Sequence, residues 1–231
     1  NADCRFCVAQ LRYSHRQAMY LKPHIEDSRE YFKRLDEVLE LIRPLNPSVS
    51  ITGGEPTLSP KLQEVIKMVD YYGFRKRTIT TNGSGLLNKV KNSDRVIDEL
   101  IKYNWNHLNI SRTSYSDEVN RRIMRYCNDE EYCDNQMLKT IIEITNDSPL
   151  KHRLSCLLLK ESVNSVEKIK EYLDYYRQIG VNNVIFRELM DFSKDSINTE
   201  KIKYCLDNKI RLNDIWEDFE KYTEFAQKTN P

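Results

Sequence analysis

The chain has 231 residues, with 36 Lys and Arg against 35 Asp and Glu, and this near-neutral balance points to neither a general nucleic-acid binder nor a membrane-surface binder. The length suits one large domain or two small ones with room for a sizeable core. No run approaches the ~18 apolar residues of a membrane span, no signal-peptide pattern is present, and six thinly spread cysteines are unlike a secreted disulfide framework, so a reducing cytoplasm is the expected compartment.

The chain opens on Asn-Ala-Asp-Cys-Arg-Phe-Cys, with Cys4 and Cys7 spaced as Cys-x-x-Cys. Residues 31–42 then place Phe32, Leu35, Val38, Leu39 and Ile42 on one helical face. A short β-rich run, 47–56, ends in Gly53-Gly54-Glu55-Pro56. A helix is expected over 60–74, with Pro60 in its first turn and Gly73 past its end. Residues 75–83 read as a strand ending at Asn-Gly, 93–103 as a helix with Ser93 as N-cap, and 105–114 as a strand. Helices over 116–125 and 136–146, a strand over 152–159, a helix over 165–180 closed by Gly180 and a strand over 181–189 follow. Helical stretches at 199–207 and 213–227 complete the chain. Strand and helix alternate, which predicts right-handed crossovers and a parallel sheet with helices outside. Five strands follow the cysteines, and a sixth is expected upstream of Asn1. The residues able to carry chemistry fall just after strands, where parallel α/β sheets and barrels build their sites.

Taken singly, these features stay ambiguous. A Cys-x-x-Cys is half a zinc site or a redox pair, and Gly-Gly is most often a tight turn. No second pair suits zinc: five residues separate Cys127 from Cys133, and Cys156 and Cys205 are isolated. The fourteen tyrosines, many in charged helical stretches, suit amphipathic surface cover better than a base-stacking platform.

Together, Cys4-Arg5-Phe6-Cys7 and the strand-end Gly-Gly-Glu-Pro resemble the radical S-adenosylmethionine (SAM) superfamily. In that family a Cys-x-x-x-Cys-x-aromatic-Cys loop follows the first strand and holds a [4Fe–4S] cluster. The resemblance makes Cys4 and Cys7 metal ligands and Phe6 the aromatic, with the third cysteine expected immediately before Asn1. It implies that SAM chelates the open iron and that Gly53, Gly54, Glu55 and Pro56 receive its ammonium, a pairing suited to a carboxylate. The segment Thr80-Thr81-Asn82-Gly83 is similar to the third-strand end of members like viperin and cyclic-pyranopterin synthase, which adds Thr80 and Asn82. Their fourth-strand pattern adds Ser111, for the ribose or methionyl part, and Arg125, fourteen residues on, for the methionyl carboxylate. Arg121 and Arg122 compete for that last role, and Ser155 stands where relatives often carry a ribose-binding asparagine.

The resemblance implies a partial (β/α)6 TIM-type barrel over residues 1–190, with a C-terminal helical extension at 191–231. It also implies reductive cleavage of SAM to a 5′-deoxyadenosyl radical, which takes hydrogen from a peptide, nucleotide or other small molecule. An electron donor such as flavodoxin or ferredoxin is implied as partner. Asn109, Arg112, Arg187 and Glu188 are candidate substrate contacts, although a structural ion pair explains the last two equally well. Only Cys205 lies beyond residue 190, which argues against a further cluster there. Cys127, Cys133 and Cys156 are read as structural, with hydrogen-atom donation as the other possibility. The reading from another class is a non-catalytic zinc or redox scaffold.

Overall fold

The computed structural model describes residues 1–7, 25–90, 94–126, 132–191 and 199–220. Strands β1 (Ser48–Ile51), β2 (Lys76–Thr81), β3 (His107–Ser111), β4 (Lys151–Leu157) and β5 (Val184–Arg187) form one sheet in that spatial order, and every adjacent pair is parallel. Each new strand joins the same edge, so right-handed crossovers put the connecting helices on one side. This is the winding of a barrel; a doubly wound sheet reverses its order part-way. β1 and β5 do not pair, and the sheet is an open, partial barrel.

The helices are α1 (Ser28–Ile42), α2 (Leu62–Tyr71), α3 (Val96–Lys102), α4 (Asp117–Met124), α5 (Asn135–Asn146), α6 (Val166–Gln178), α7 (Thr199–Asn208) and α8 (Leu212–Glu220). Short polar side chains start four of them. Asp27 accepts from Glu30 N, Ser116 from Val119 N, Asp134 from Met137 N and Ser165 from Lys168 N, each satisfying an amide that the first turn leaves open. α2 begins at Leu62, so Pro60 precedes the helix instead of sitting in its first turn. Gly73 does close it, at φ 61°, where its N–H meets the Asp70 carbonyl at 2.8 Å. α3 starts at Val96 behind an Arg95–Asp98 capping pair, and the expected cap Ser93 lies outside the described residues.

Strand alternation sorts the sheet into two faces. Ile79, Leu108, Ile110, Leu154 and Cys156 are buried in one cluster with Val65, Ile66, Ile97, Leu138, Ile141 and Tyr172 from the helices. The opposite face carries Ser50, Thr78, Thr80, His107, Asn109, Ser111, Arg153 and Ser155, with the apolar Leu157 and Ile185 toward the β5 edge. Ile215 of α8 belongs to the main core, while Cys205 of α7 joins Ile123, Leu159 and Leu189 in a smaller cluster.

Arg112, expected near the substrate, is instead fully buried on the helical side. Its guanidinium donates to Tyr176 Oη (3.2 Å), the Cys133 carbonyl (2.5 Å), Asp117 Oδ1 (2.9 Å) and Asn135 Oδ1 (2.6 Å). It lies one residue past Ser111, and the alternation of β3 sends it to the other face, where it ties α4, α5 and α6 together. Among the described residues no helix is long and apolar enough to cross a membrane.

Candidate active site

Three strand ends and the cysteine loop meet at one cavity of about 460 Å³, within the usual range for small-molecule sites. β1 contributes Thr52, Gly53, Gly54 and Glu55; β2 contributes Thr80, Thr81 and Asn82; β3 contributes Ser111. Cys4, Phe6, Cys7, Asn1 and Ala2 close it from the chain start, and Met124 from α4.

Glu55 organises the floor. Its Oε1 accepts from Thr57 N at 3.0 Å, from Thr57 Oγ1 at 2.5 Å and from Thr81 Oγ1, while Oε2 accepts from Asn82 N at 2.7 Å. One carboxylate thereby clasps the ends of β1 and β2. With a single donor on Oε2, it keeps acceptor capacity toward the cavity it lines. The clasp continues through the Asn-Gly-Ser-Gly turn: Gly85 N donates to Thr57 Oγ1 at 3.0 Å, and Gly83 N to Thr81 Oγ1 at 2.8 Å. A Cβ on Gly85 would stand 2.5 Å from the Thr57 carbonyl oxygen, so only glycine permits this approach. At Gly53 and Gly54 a Cβ would meet no atom of the described residues within 4 Å. Their bare backbone leaves room for an occupant instead of relieving an internal clash.

The cysteine loop is a turn, with Cys7 N on the Cys4 carbonyl at 3.1 Å. It is docked from two sides. Asp3 N reaches the Arg125 carbonyl at 3.2 Å, and Ala2 bridges Tyr126 in antiparallel fashion. From α7, Lys201 Nζ donates to Asp3 Oδ1 at 2.6 Å and to the Cys4 carbonyl at 2.9 Å. Phe6 packs against the Ile123–Leu159–Leu189–Cys205 cluster and so fixes the loop's apolar side. Cys4 and Cys7 are both free thiols. Burial, with help from the adjacent Cys7 thiol, pushes Cys4 up to about 11, while Lys201 pulls the other way. A thiol so raised keeps its proton at neutral pH until a metal displaces it. Among the described residues no group of three His, Cys, Asp or Glu side chains converges.

The other expected residues are distributed unevenly. Pro56 is buried at the first position of a short 3-10 turn, Pro56–Leu58, and braces the site from behind. Ser155 stands beside Ser111 in the β3–β4 register but does not line the cavity. Asn109 faces the polar side, where its Nδ2 lies 3.3 Å from Thr80 Oγ1. Arg125 is not brought to the cavity. α4 ends at Met124, Arg125 turns left-handed at φ 50°, and its guanidinium faces Asp3 (3.7 Å) and Glu200 (3.5 Å). Its competitors are also engaged elsewhere, Arg121 over the Tyr132 ring and Arg122 with Glu161. Arg187 is exposed at the end of β5. Glu188 serves structure: it pairs with Lys209 at 3.2 Å and accepts from Leu212 N at 2.9 Å, the latter bond contributing most to holding its carboxyl below the ordinary range.

Cys133 and Cys156 are buried, away from the cavity lining, and burial raises both thiols, Cys133 to about 12. Cys127 lies outside the described residues. Sequence reasoning missed Thr52, Thr81 and Lys201. The first two border motifs already recognised. Lys201 carries no local signal, because its partners are about two hundred residues away.

Residues 1–138 match the sequence model of the Radical SAM superfamily. The chain belongs to that superfamily. Membership makes it an enzyme and implies two cofactors, SAM and an iron–sulfur cluster. The chain is 26% identical over 188 residues to the GTP 3′,8-cyclase of Marinobacter nauticus, covering 79% of this chain and 52% of that protein. It is 27% identical over 148 residues to the S-adenosylmethionine-dependent nucleotide dehydratase of Flammeovirga pacifica, covering 62% and 46%. It spans about half the length of these two curated relatives. Among solved structures, Streptococcus suis SuiB bound to its precursor peptide SuiA superposes with a TM-score of 0.63 at 21% identity, covering 99% of this chain and 44% of that one. That likeness is one of fold.

Proposed function

We propose that residues 1–190 form the catalytic core of a radical SAM enzyme, with 191–231 as a helical extension, and that Cys4 and Cys7 supply two thiolates of a [4Fe–4S] cluster. One observation carries the reading: Cys4, Cys7 and Phe6 face Gly53, Gly54, Glu55, Thr80, Asn82 and Ser111 across a single cavity. The residues fit the cofactors, since two free thiols stand opposite bare glycine backbone and a carboxylate with acceptor capacity. Once bound, the cluster and SAM supply a 5′-deoxyadenosyl radical that takes a hydrogen atom from substrate.

The protein's own part is positioning. Glu55 accepts the SAM ammonium, Ser111 and Asn82 meet its ribose or methionyl polar atoms, and Phe6 keeps water from the loop. Arg125, engaged with Asp3 and Glu200, is assigned to docking the cysteine loop. A small flavodoxin or ferredoxin supplies the electron. The substrate is a nucleotide, a peptide or another small molecule. By their names, the two curated relatives act on nucleotides, and SuiB was solved with a peptide.

The test is anaerobic reconstitution with iron and sulfide, followed by dithionite and SAM. Brown protein that releases 5′-deoxyadenosine is expected, with iron lost in Cys4→Ala and Cys7→Ala and kept in Cys205→Ala. Colourless protein that binds zinc through the same cysteines would overturn the assignment in favour of a metal-binding scaffold.

A further inference from the structure

Below the cofactor cavity, the polar face of the sheet carries positive charge that no acid among the described residues pairs with. The five strands contain no Asp or Glu. Parity puts Lys76, His107, Lys151 and Arg153 on that face, with His107 beside Lys151 and Asn109 beside Arg153 in the β3–β4 register. Arg153 is half-buried, and its Nε donates to Asn109 Oδ1 at 2.8 Å. Asn109 Nδ2 in turn lies 3.3 Å from Thr80 Oγ1, and Thr80 lines the cavity. A polar chain thus runs Thr80–Asn109–Arg153 from the SAM ledge into the barrel. Among the described residues, none of Lys76, His107, Lys151 and Arg153 is within ion-pair distance of a carboxylate. Elsewhere in the molecule Arg77, Arg95 and Arg112 all are.

We propose that this face is the anchor for an anionic group of the substrate, a phosphate or a carboxylate, held by Arg153 with His107, Lys76 and Lys151 around it. The proposal names the substrate class for the site described above and rests on that reading for its catalytic meaning, though not for its binding. A half-buried guanidinium with one neutral acceptor keeps several N–H donors for a ligand, and its fork fits both oxyanions. Asn109 is well placed to hold the guanidinium plane while leaving its outer edge open. Asn109 and Arg153 lie one strand repeat, about 7 Å, below Ser111 and Ser155, while His107 and Lys151 lie two repeats, about 13 Å, below them and Lys76 one repeat further down. A molecule anchored here extends toward the SAM ledge, its neutral end nearest the radical. His107 reports the same field: burial lowers its pKa first, and Lys76 and Arg153 lower it further. A bound anion reverses the effect of those two cations.

The test is calorimetric titration of the purified, cluster-free chain at low ionic strength with inorganic tripolyphosphate and, separately, with succinate. One of the two should bind, and which one identifies phosphate or carboxylate as the source. Arg153→Gln should weaken that binding about ten- to a hundredfold, and Arg153→Lys should recover part of it. His107→Gln and Lys76→Gln should each weaken it several-fold, and these two variants decide the matter should Arg153→Gln fail to fold. Absence of binding by wild type to either probe, or wild-type affinity in the variants, would overturn the proposal. SAM affinity of the cluster-loaded Arg153→Gln protein should match wild type. Anion binding without SAM cleavage would therefore sink the enzymatic reading alone, and SAM cleavage without anion binding would sink this one alone.

Discussion

Replacing Glu55 by Gln tests whether this residue is a structural clasp as well as a ligand for SAM. The carboxylate receives four hydrogen bonds, three on Oε1 and one on Oε2. An amide can keep its oxygen toward Thr57 and Thr81, but its NH₂ then faces the Asn82 N–H, donor against donor. Leaving that amide unpaired costs about 1–3 kcal/mol, and three charge-assisted bonds fall to neutral strength at a few tenths to 1 kcal/mol each. Because Glu55 is only half-buried, water recovers part of this, and a net loss of about 2–3 kcal/mol is expected. For a chain of this size that is a fall of about 5–10 °C in Tm. The assay is thermal unfolding of cluster-free protein, in which no SAM contact contributes. Thr81→Val should cost about 1 kcal/mol, and the double variant should cost less than the sum of the two, because both changes act on one network. A Glu55→Gln protein melting within about 2 °C of wild type, with additive behaviour in the double variant, would refute the clasp. It would leave only the ligand role, read separately as SAM affinity on loaded protein.

Two further predictions concern the cysteines and their loop. Lys201→Met removes the ammonium that donates to both Asp3 Oδ1 and the Cys4 carbonyl, and Arg125→Met removes the ion pair with Asp3 on the loop's other side. Hydrogen exchange over residues 1–7 should quicken about five- to tenfold in the first and less in the second, while SAM affinity of loaded Arg125→Met stays within about threefold of wild type. A much larger loss of SAM affinity in Arg125→Met would return that arginine to the methionyl carboxylate. Cys133, pushed to about 12 by burial, should resist iodoacetamide at pH 8 in the folded protein and react once unfolded; rapid labelling in the native state would show that it is not enclosed.

Period and punctuation make the fold legible. The alternation of Lys-His-Arg-Leu-Ser-Cys-Leu and the caps Asp134, Ser116 and Ser165 act within a few residues, and the elements they mark are present in order. Boundaries shift where tertiary contacts decide. α3 is capped by Arg95 with Asp98, and the expected nine-residue strand over 181–189 forms its ladder only over Val184–Arg187. The motif residues of the cavity are legible for the same reason. Gly53 to Asn82 sit at successive strand ends, so strand order alone brings them together.

Arg125 and Arg153 show where local reading stops. Arg125 stands out by its spacing from Ser111, but spacing along a helix does not say what happens at the helix end. There the left-handed turn and the nearby carboxylates Asp3 and Glu200, one from the chain start and one from α7, determine where the guanidinium goes. Arg153 carries no signal of its own, as the last of three consecutive basic residues, Lys151-His152-Arg153, that open β4. Its meaning is collective, because an arginine is a surface charge until the neighbouring strands are seen to offer Thr80, Asn109 and His107 on the same face and no acid on any of them. A charge left unbalanced at half burial costs free energy in the empty protein. That cost is offset when the binding partner brings the opposite charge, which is why the face is read as a binding surface and the fully paired Arg112 as a structural one.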